Sequence, residues 1–283
     1  MSSSYGFDPA MEATSSVDMV AIANGESQLR RTWTAADPRA VVLIVHGIAE
    51  HSGRYEHVAR QLVNAGFTVV AYDQRGHGET TGRPGHVDSF AEFHDDLQLQ
   101  LADIRETGLP AVVLGHSMGG LVTASYGLTD RPQADLVVLS APALALATPR
   151  WTWRLAKFFG RVIPKVRMKL PLKTRDLSAD PRVGEIYLTD PSNTLRVTFG
   201  LIGAMAQTVM ETEPAIERWT HTTLVIHGQA DKIVPPNASE AIGELGSVEL
   251  RSYPDLRHEI FNEFSGPEIV DDLVSWIDAA LAS

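Results

Sequence analysis

The chain predicts an α/β protein with a mostly parallel central sheet flanked by helices and one inserted helical cap. Continuous apolar runs such as Val41-Val-Leu-Ile-Val45 are the mark of strands covered on both faces. They alternate with segments of helical spacing, the βα order from which parallel sheets are built. Between about Pro142 and Trp219 this rhythm breaks, and prolines, Trp151, Trp153 and lysine-rich amphipathic runs take its place. The expected division is a first core segment over 17–141, a cap over 142–219 after the strand that ends near Ser140, and a second core segment over 220–283.

Val17 to Ala23 and Gln28 to Trp33 flank Asn24-Gly25, a pair that readily takes positive φ, and so read as a hairpin. Val41 to Val45 is the first buried strand. Helical spacing over Tyr55 to Asn64 leads to a strand over Phe67 to Tyr72. Phe90, Phe93, Leu97, Leu101 and Ile104 then recur at helical steps, which predicts a helix from Ser89 to about Glu106. The strand Ala111 to Leu114, a helix after Ser117 and the strand Leu136 to Ser140 complete the first segment. Beyond the cap come the strand Thr223 to His227, a helix around Ala238 to Leu245 and the strand Ser247 to Tyr253. A last helix runs from Pro267 to about Leu281, with Pro267 well placed near its first turn.

At 283 residues the chain is long enough to bury a core without staples, and with no Cys it has neither disulfides nor thiolate chemistry. A net charge of -11, from 35 acidic and 24 basic side chains, disfavours a general nucleic-acid surface. No stretch approaches the roughly 18 uncharged apolar residues of a membrane span. Met1 to Ser16 is polar, contains acids and lacks a positive-then-apolar pattern, which argues against a secretory signal and for a cytoplasmic protein.

The segment Ala111-Val-Val-Leu-Gly-His-Ser-Met-Gly-Gly120 joins an apolar strand to a Ser flanked by glycines, which is how an α/β-hydrolase fold presents its nucleophile. Ser117 at such an elbow takes strained backbone angles, and Gly115 and Gly119 leave room where any Cβ would meet neighbouring backbone. An ester hydrolase also needs a base, a carboxylate to hold that base, and donors aimed at the oxyanion. Asp231 lies beyond the strand Thr223 to His227, and His258 follows the strand Ser247 to Tyr253. The chain order Ser117, Asp231, His258 is that of this fold. Asp255 is the rival carboxylate, but it shares the loop of His258 and would have to fold back sharply.

Backbone N–H groups after the first long strand and after the nucleophile are the required oxyanion pair, and these belong to Ile48 and Met118. His46 is placed to brace that first loop by bonding local backbone, while Gly76-His77-Gly78 suits a rigid loop under the site. Neither G-x-G-x-x-G nor G-x-x-x-x-G-K-S/T occurs at the first βα turn, and no second ligand set accompanies His46 at metal-site spacing. Neither a cofactor nor a metal is expected.

From Arg150 through Arg175 there are nine Lys or Arg and no acid, inside a chain that is acidic as a whole. Leu155, Phe158, Phe159, Val162 and Val166 recur at helical spacing, with Arg154, Lys157, Arg161 and Lys165 in parallel cadence, so the stretch reads as amphipathic and cationic. Trp151 and Trp153 are residue types that anchor a segment at a lipid interface. Two readings of the apolar side stay open: it packs the cap onto the core, or it brings the site to anionic amphiphiles. From Leu195 to Val209 the cap is rich in Leu, Ile, Met, Phe and Ala, whose plain meaning is packing. If one face opens on the cleft, Met205 and Met210 supply adaptable lining for an alkyl chain.

Four segments together resemble a known family. They are His46-Gly-Ile-Ala-Glu-His-Ser-Gly-Arg-Tyr55, Tyr72-Asp-Gln-Arg-Gly-His-Gly78, Gly115-His-Ser-Met-Gly-Gly120 and, in the cap, Ser178-Ala-Asp-Pro-Arg-Val183 with Tyr187 and Asp190-Pro191. The chain is similar, from about Val17 to the last helix, to the monoacylglycerol lipases and lysophospholipase-like α/β-hydrolases, sometimes grouped with the serine aminopeptidase domain. The resemblance implies Ser117 as nucleophile, Asp231 as acid, His258 as base, backbone donors at Ile48 and Met118, and no cofactor. It also implies a cap whose helices shape an apolar tunnel and associate with membranes. The expected partners are a small amphiphilic ester and a lipid surface met through the cap, and the expected reaction releases fatty acid and glycerol from a monoacylglycerol. Its rivals are a lysophospholipase or general carboxylesterase, an enzyme of amide bonds, and a non-catalytic lipid-binding protein on the same scaffold.

Overall fold

Along strand β3 (Ala40–Val45), Val41, Leu43 and Val45 face one hydrophobic layer while Val42 and Ile44 face another, which is why the run is apolar without alternation. The computed structural model, which describes residues 15–145 and 148–282, places β3 near the middle of an eight-stranded sheet. Reading across it, the strands are β1 (Ser16–Ala21), β2 (Ser27–Trp33), β4 (Phe67–Tyr72), β3, β5 (Ala111–His116), β6 (Leu136–Ser140), β9 (Thr223–Gly228) and β10 (Val248–Tyr253). β1 and β2 pair antiparallel, as do β2 and β4, and every other neighbouring pair is parallel. Helices α1 (Glu56–Asn64) and α8 (Gly266–Leu281) cover the Val42 face through Val58, Leu62, Leu273 and Ile277. On the Val41 face, α2 (Ala91–Arg105) and α3 (Met118–Gly127) supply Phe93, Leu97, Leu101 and Leu121. Burying each such side chain contributes roughly 1.5–3 kcal/mol, and both layers depend on it.

The strands lie where their apolar runs predicted. Asn24 (φ 66°) and Gly25 (φ 73°) take left-handed backbone between β1 and β2, within a short 3-10 segment (Ala23–Gly25). The helix expected around Ala238 to Leu245 is instead a 3-10 turn (Pro236–Ser239) followed by the single-turn α7 (Glu240–Gly243). Pro236 opens the 3-10 turn, a first-turn position at which the missing N–H of proline costs no intrahelical bond. Most of the N-terminal stretch read as lacking a secretory signal lies outside the described residues, which begin at 15. No helix among the described residues is long and apolar enough to cross a membrane.

Between β6 and β9 the chain inserts α4 (Arg150–Val162), β7 (Arg167–Lys169), α5 (Pro181–Thr189), β8 (Arg196–Thr198) and α6 (Phe199–Thr212). The insertion is helical in the main but also carries an antiparallel two-stranded sheet of β7 and β8. The amphipathic run breaks earlier than its cadence suggests: α4 ends at Val162, leaving Lys165 and Val166 beyond it. Pro164 disfavours helical backbone at the preceding residue, and Ile163 sits at φ -131° and ψ 52°. Trp153, Val197, Leu201, Met205 and Val209 join the same core layer as α2 and α3. α4 and α6 cross backbone to backbone, since a Cβ on Gly160 would lie 2.9 Å from Gly203 Cα and one on Gly203 would lie 2.9 Å from Ala156 O.

The first turn of α3 is pressed against β3 in the same way, and a Cβ at Gly119 would overlap the carbonyl oxygens of Val45 and His46. Gly119→Ala is expected to lower the thermal midpoint by an overpacking cost on the order of 1–3 kcal/mol. Gly246→Ala, whose Cβ would meet nothing within 4 Å, should leave the midpoint nearly unchanged. Equal midpoints for the two variants would contradict the close α3 to β3 contact.

Candidate active site

β5 passes into α3 through Ser117 alone, and the reversal requires φ 52° and ψ -115° at that residue. Such backbone costs on the order of 1–3 kcal/mol and persists only where its surroundings over-determine it. Here the Ser117 N–H donates to Ser140 O at 3.0 Å, while Ser117 O accepts from the N–H groups of Leu121 at 3.1 Å and Ala143 at 3.0 Å. The side chain is thereby held beyond the C-terminal edge of the parallel strands, where loops following several strands converge.

The turns after β9 and β10 bring the other two candidates to it. His258 Nε2 lies 2.9 Å from Ser117 Oγ, and His258 Nδ1 lies 2.7 Å from Asp231 Oδ2. Asp231 Oδ2 is also 3.2 Å from His227 Nε2, and its Oδ1 accepts from the N–H groups of Ile233 at 2.7 Å and Val234 at 3.0 Å. Burial pushes the Asp231 pKa up, but His258, the bond from His227 and the Ile233 N–H outweigh it and hold the carboxyl well below its ordinary range. Burial pushes the His258 imidazole down, and the Asp231 charge and hydrogen bond more than reverse that, so it titrates above its ordinary 6.5. With Asp231 ionised, the proton belongs on Nδ1, and Nε2 is left to accept from the Ser117 hydroxyl. The rival Asp255 makes no hydrogen bond to His258 among the described residues.

Two further histidines are kept neutral beside this one. His116, with its ring centroid 4.8 Å from that of His258, is pushed down to about 4 by burial and by the neighbouring imidazole. Burial also lowers His46, which donates from Nδ1 to Gly47 O at 2.7 Å and accepts the Gln74 N–H on Nε2 at 2.8 Å, the local bracing expected of it. The adjoining Asp73 carboxylate accepts from the N–H groups of Ser52 at 2.8 Å and Glu79 at 2.9 Å, tying down the glycine-containing loop after β4. Ile48 follows β3 and Met118 opens α3, and neither N–H has a partner among the described residues. Both are therefore free to donate to a developing oxyanion. No group of three or more His, Asp or Glu among the described residues is arranged to hold a metal.

The cap candidates are scattered. Trp151, Leu155 and Phe158 are exposed on α4, at 64%, 44% and 58%, whereas Trp153 is buried and donates from Nε1 to Thr148 Oγ1 at 3.0 Å. Phe159 packs against Phe199, Met205 belongs to the core layer and Met210 lies at the surface. A groove of about 730 Å³ between α2, α3, α4 and α6 includes none of Ser117, Asp231 or His258. Sequence reasoning missed His227 and a buried group made of Glu50, Arg54 and Glu259. Adjacency to His258 and to the His46 to Tyr55 motif is the one signal that pointed to the latter three.

A family model described as serine aminopeptidase, S33 matches residues 36–265. The chain belongs to this α/β-hydrolase family. The hydrolase is 35% identical over 259 residues to the monoacylglycerol lipase of Mycolicibacterium smegmatis, spanning 87% of this chain and 90% of that protein. It is 30% identical over 264 residues to the monoglyceride lipase of Homo sapiens, spanning 89% of this chain and 85% of its relative. Its fold matches the crystal structure of Paleococcus ferrophilus monoacylglycerol lipase with a TM-score of 0.80 at 31% identity, covering 89% and 98% of the two chains.

The electrostatics around His258 give a direct check. NMR titration of its imidazole should show a midpoint above 6.5 in the wild type and a lower one in Asp231→Asn, where burial remains and the charge that opposed it is gone. A midpoint that does not fall would remove Asp231 as the group that orients His258.

Proposed function

We propose that this hydrolase is a serine esterase that cleaves monoacylglycerols to fatty acid and glycerol through an acyl-enzyme. The observation that carries the reading is the continuous hydrogen-bonded series from Ser117 Oγ through His258 to Asp231, at 2.9 and 2.7 Å. His258 Nε2 removes the Ser117 proton as Oγ attacks the ester carbonyl, and the Ile48 and Met118 N–H groups stabilise the oxygen as it becomes negative. His258 then protonates the departing glycerol oxygen and afterwards takes a proton from the water that releases the acid. Asp231 keeps the imidazole in one tautomer throughout. The choice of monoacylglycerol is supported by the names of the relatives in two organisms and by the cap residues Leu177, Val183 and Tyr187, which pack with Ala49 and Ile48 beside the site.

Hydrolysis of monoacylglycerols of increasing chain length should be measured beside di- and triacylglycerols and a lysophospholipid. Preference for the glycerol monoesters is expected, with kcat lost by roughly 10⁶-fold in Ser117→Ala. Preference for the lysophospholipid would favour the phospho head group instead, and activity confined to small activated esters would leave a general carboxylesterase. A wild-type chain that does not react with a fluorophosphonate would overturn the enzymatic reading in favour of a lipid-binding one.

We further infer that α4 is the face that meets lipid. Its packed side is formed by Trp153, Ala156, Phe159 and Gly160, and Trp151, Leu155, Phe158 and Val162 make a second apolar stripe that is exposed among the described residues. Arg150, Arg154, Lys157 and Arg161 run beside it with the same spacing, an arrangement suited to an anionic interface. Reversing the charge of Arg154, Lys157 and Arg161 together should weaken binding to phosphatidylglycerol vesicles by at least about tenfold. Hydrolysis of a soluble ester should be preserved. Unchanged vesicle binding at low ionic strength would refute the assignment.

A further inference from the structure

Behind the loop that carries Ile48 lies a buried charge cluster that none of the acyl-transfer steps uses. Glu50 Oε1 accepts from the Gly47 N–H and from the Tyr55 hydroxyl at 2.9 Å, and its Oε2 accepts from Arg54 Nη1 at 2.7 Å. The same guanidinium grips Glu259, Nη1 to Oε1 at 2.7 Å and Nη2 to Oε2 at 2.8 Å. None of the three side chains is more than 7% exposed. Burial pushes the Glu50 pKa up, but the Arg54 charge, helped by the Gly47 N–H bond, outweighs it and holds the carboxyl below its ordinary range, so it remains an acceptor at neutral pH.

Two carboxylates around one buried guanidinium are a poor source of stability, because desolvation offsets the pairing. Fixed geometry is what such a cluster supplies, since the planar fork of Arg holds a carboxylate in one orientation. The two ends of this cluster are attached to different parts of the site. Glu50 bonds the residue before Ile48, across Ala49, which is held at φ 65°. Glu259 is joined by one peptide bond to His258. From the cap, Tyr187 donates to Ala49 O at 3.2 Å and lies under the Arg54 guanidinium at 5.0 Å.

We propose that Glu50, Arg54 and Glu259 are positioning residues, with Arg54 cross-linking the oxyanion loop to the His258 loop and so fixing the spacing between the Ile48 donor and the base. The inference rests on the esterase reading of the same site. During attack the carbonyl oxygen must reach the Ile48 and Met118 donors while His258 stays on Ser117 Oγ. Movement of one loop against the other by about 1 Å costs on the order of 10²-fold in rate.

Arg54→Lys retains the charge and loses the fork. It should be compared with wild type for kcat and KM on soluble p-nitrophenyl butyrate, and for inhibition by a trifluoromethyl ketone, which forms an oxyanion on Ser117. The expected result is a kcat lower by about 10- to 100-fold, KM within about twofold, and ketone affinity reduced in proportion to kcat. Thermal melting must place the variant in its folded state at the assay temperature. Where Arg54→Lys fails to fold, Glu259→Gln keeps the shape of the site and must show the same paired loss. A folded variant with wild-type kcat, or one whose kcat falls while ketone affinity holds, overturns the proposal. A wild-type chain inert to both the ester and a fluorophosphonate would overturn the esterase reading and this inference with it, whereas an active wild type with an indifferent Arg54→Lys overturns the cross-link alone.

Discussion

The positive φ of Ser117 is the constraint from which the remainder of the structure can be read. A residue held at 52° must be fixed from several sides at once, and the fold provides those sides. β6 receives its N–H, the first turn of α3 and the chain beyond β6 donate to its carbonyl, and β3 lies so close beneath that only glycine fits at position 119. Central placement of β5 follows, because an edge strand would have a neighbour on one side only. Helices cover both faces of the sheet at its centre, and this accounts for uninterrupted apolar runs in β3 and β5.

Around that fixed oxygen, environment sorts chemically identical groups into different states. His46, His116 and His258 are all buried, yet two are driven toward the neutral form and one away from it. The difference is the partner. His46 bonds backbone and His116 approaches a Ser hydroxyl, while His258 faces a carboxylate already stabilised by His227 and by two N–H groups.

What was legible in the chain was whatever local pattern encodes. Strands with two buried faces announced themselves by apolar runs, and the elbow by glycines on either side of Ser117. Asp231 was readable because it follows such a strand, and His258 because it follows the next one, β10, a half-exposed edge strand. The Glu50, Arg54 and Glu259 cluster was not, since its two halves lie 205 residues apart and their pairing depends on how the sheet closes. β7 and β8 escaped because three-residue strands carry no periodicity. The buried side of α4 was hidden for a different reason: Ala156 and Gly160 contribute to it by being small, so an apolar count assigns the packing role to the larger residues that face outward.

The bond from the Ala143 N–H to Ser117 O has a bearing on how such chains diversify. Ala143 lies past the end of β6, in the opening residues of the segment that leads to the cap, so the insertion is not a detachable ornament. Its first few residues help to hold Ser117, and Leu144 beside them is buried in the core layer. A chimera that borrows a different lid therefore has its natural seam after Leu144 rather than at the strand end. A library that randomises lids upstream of that seam would be disturbing the backbone of Ser117 while intending to vary only the lid.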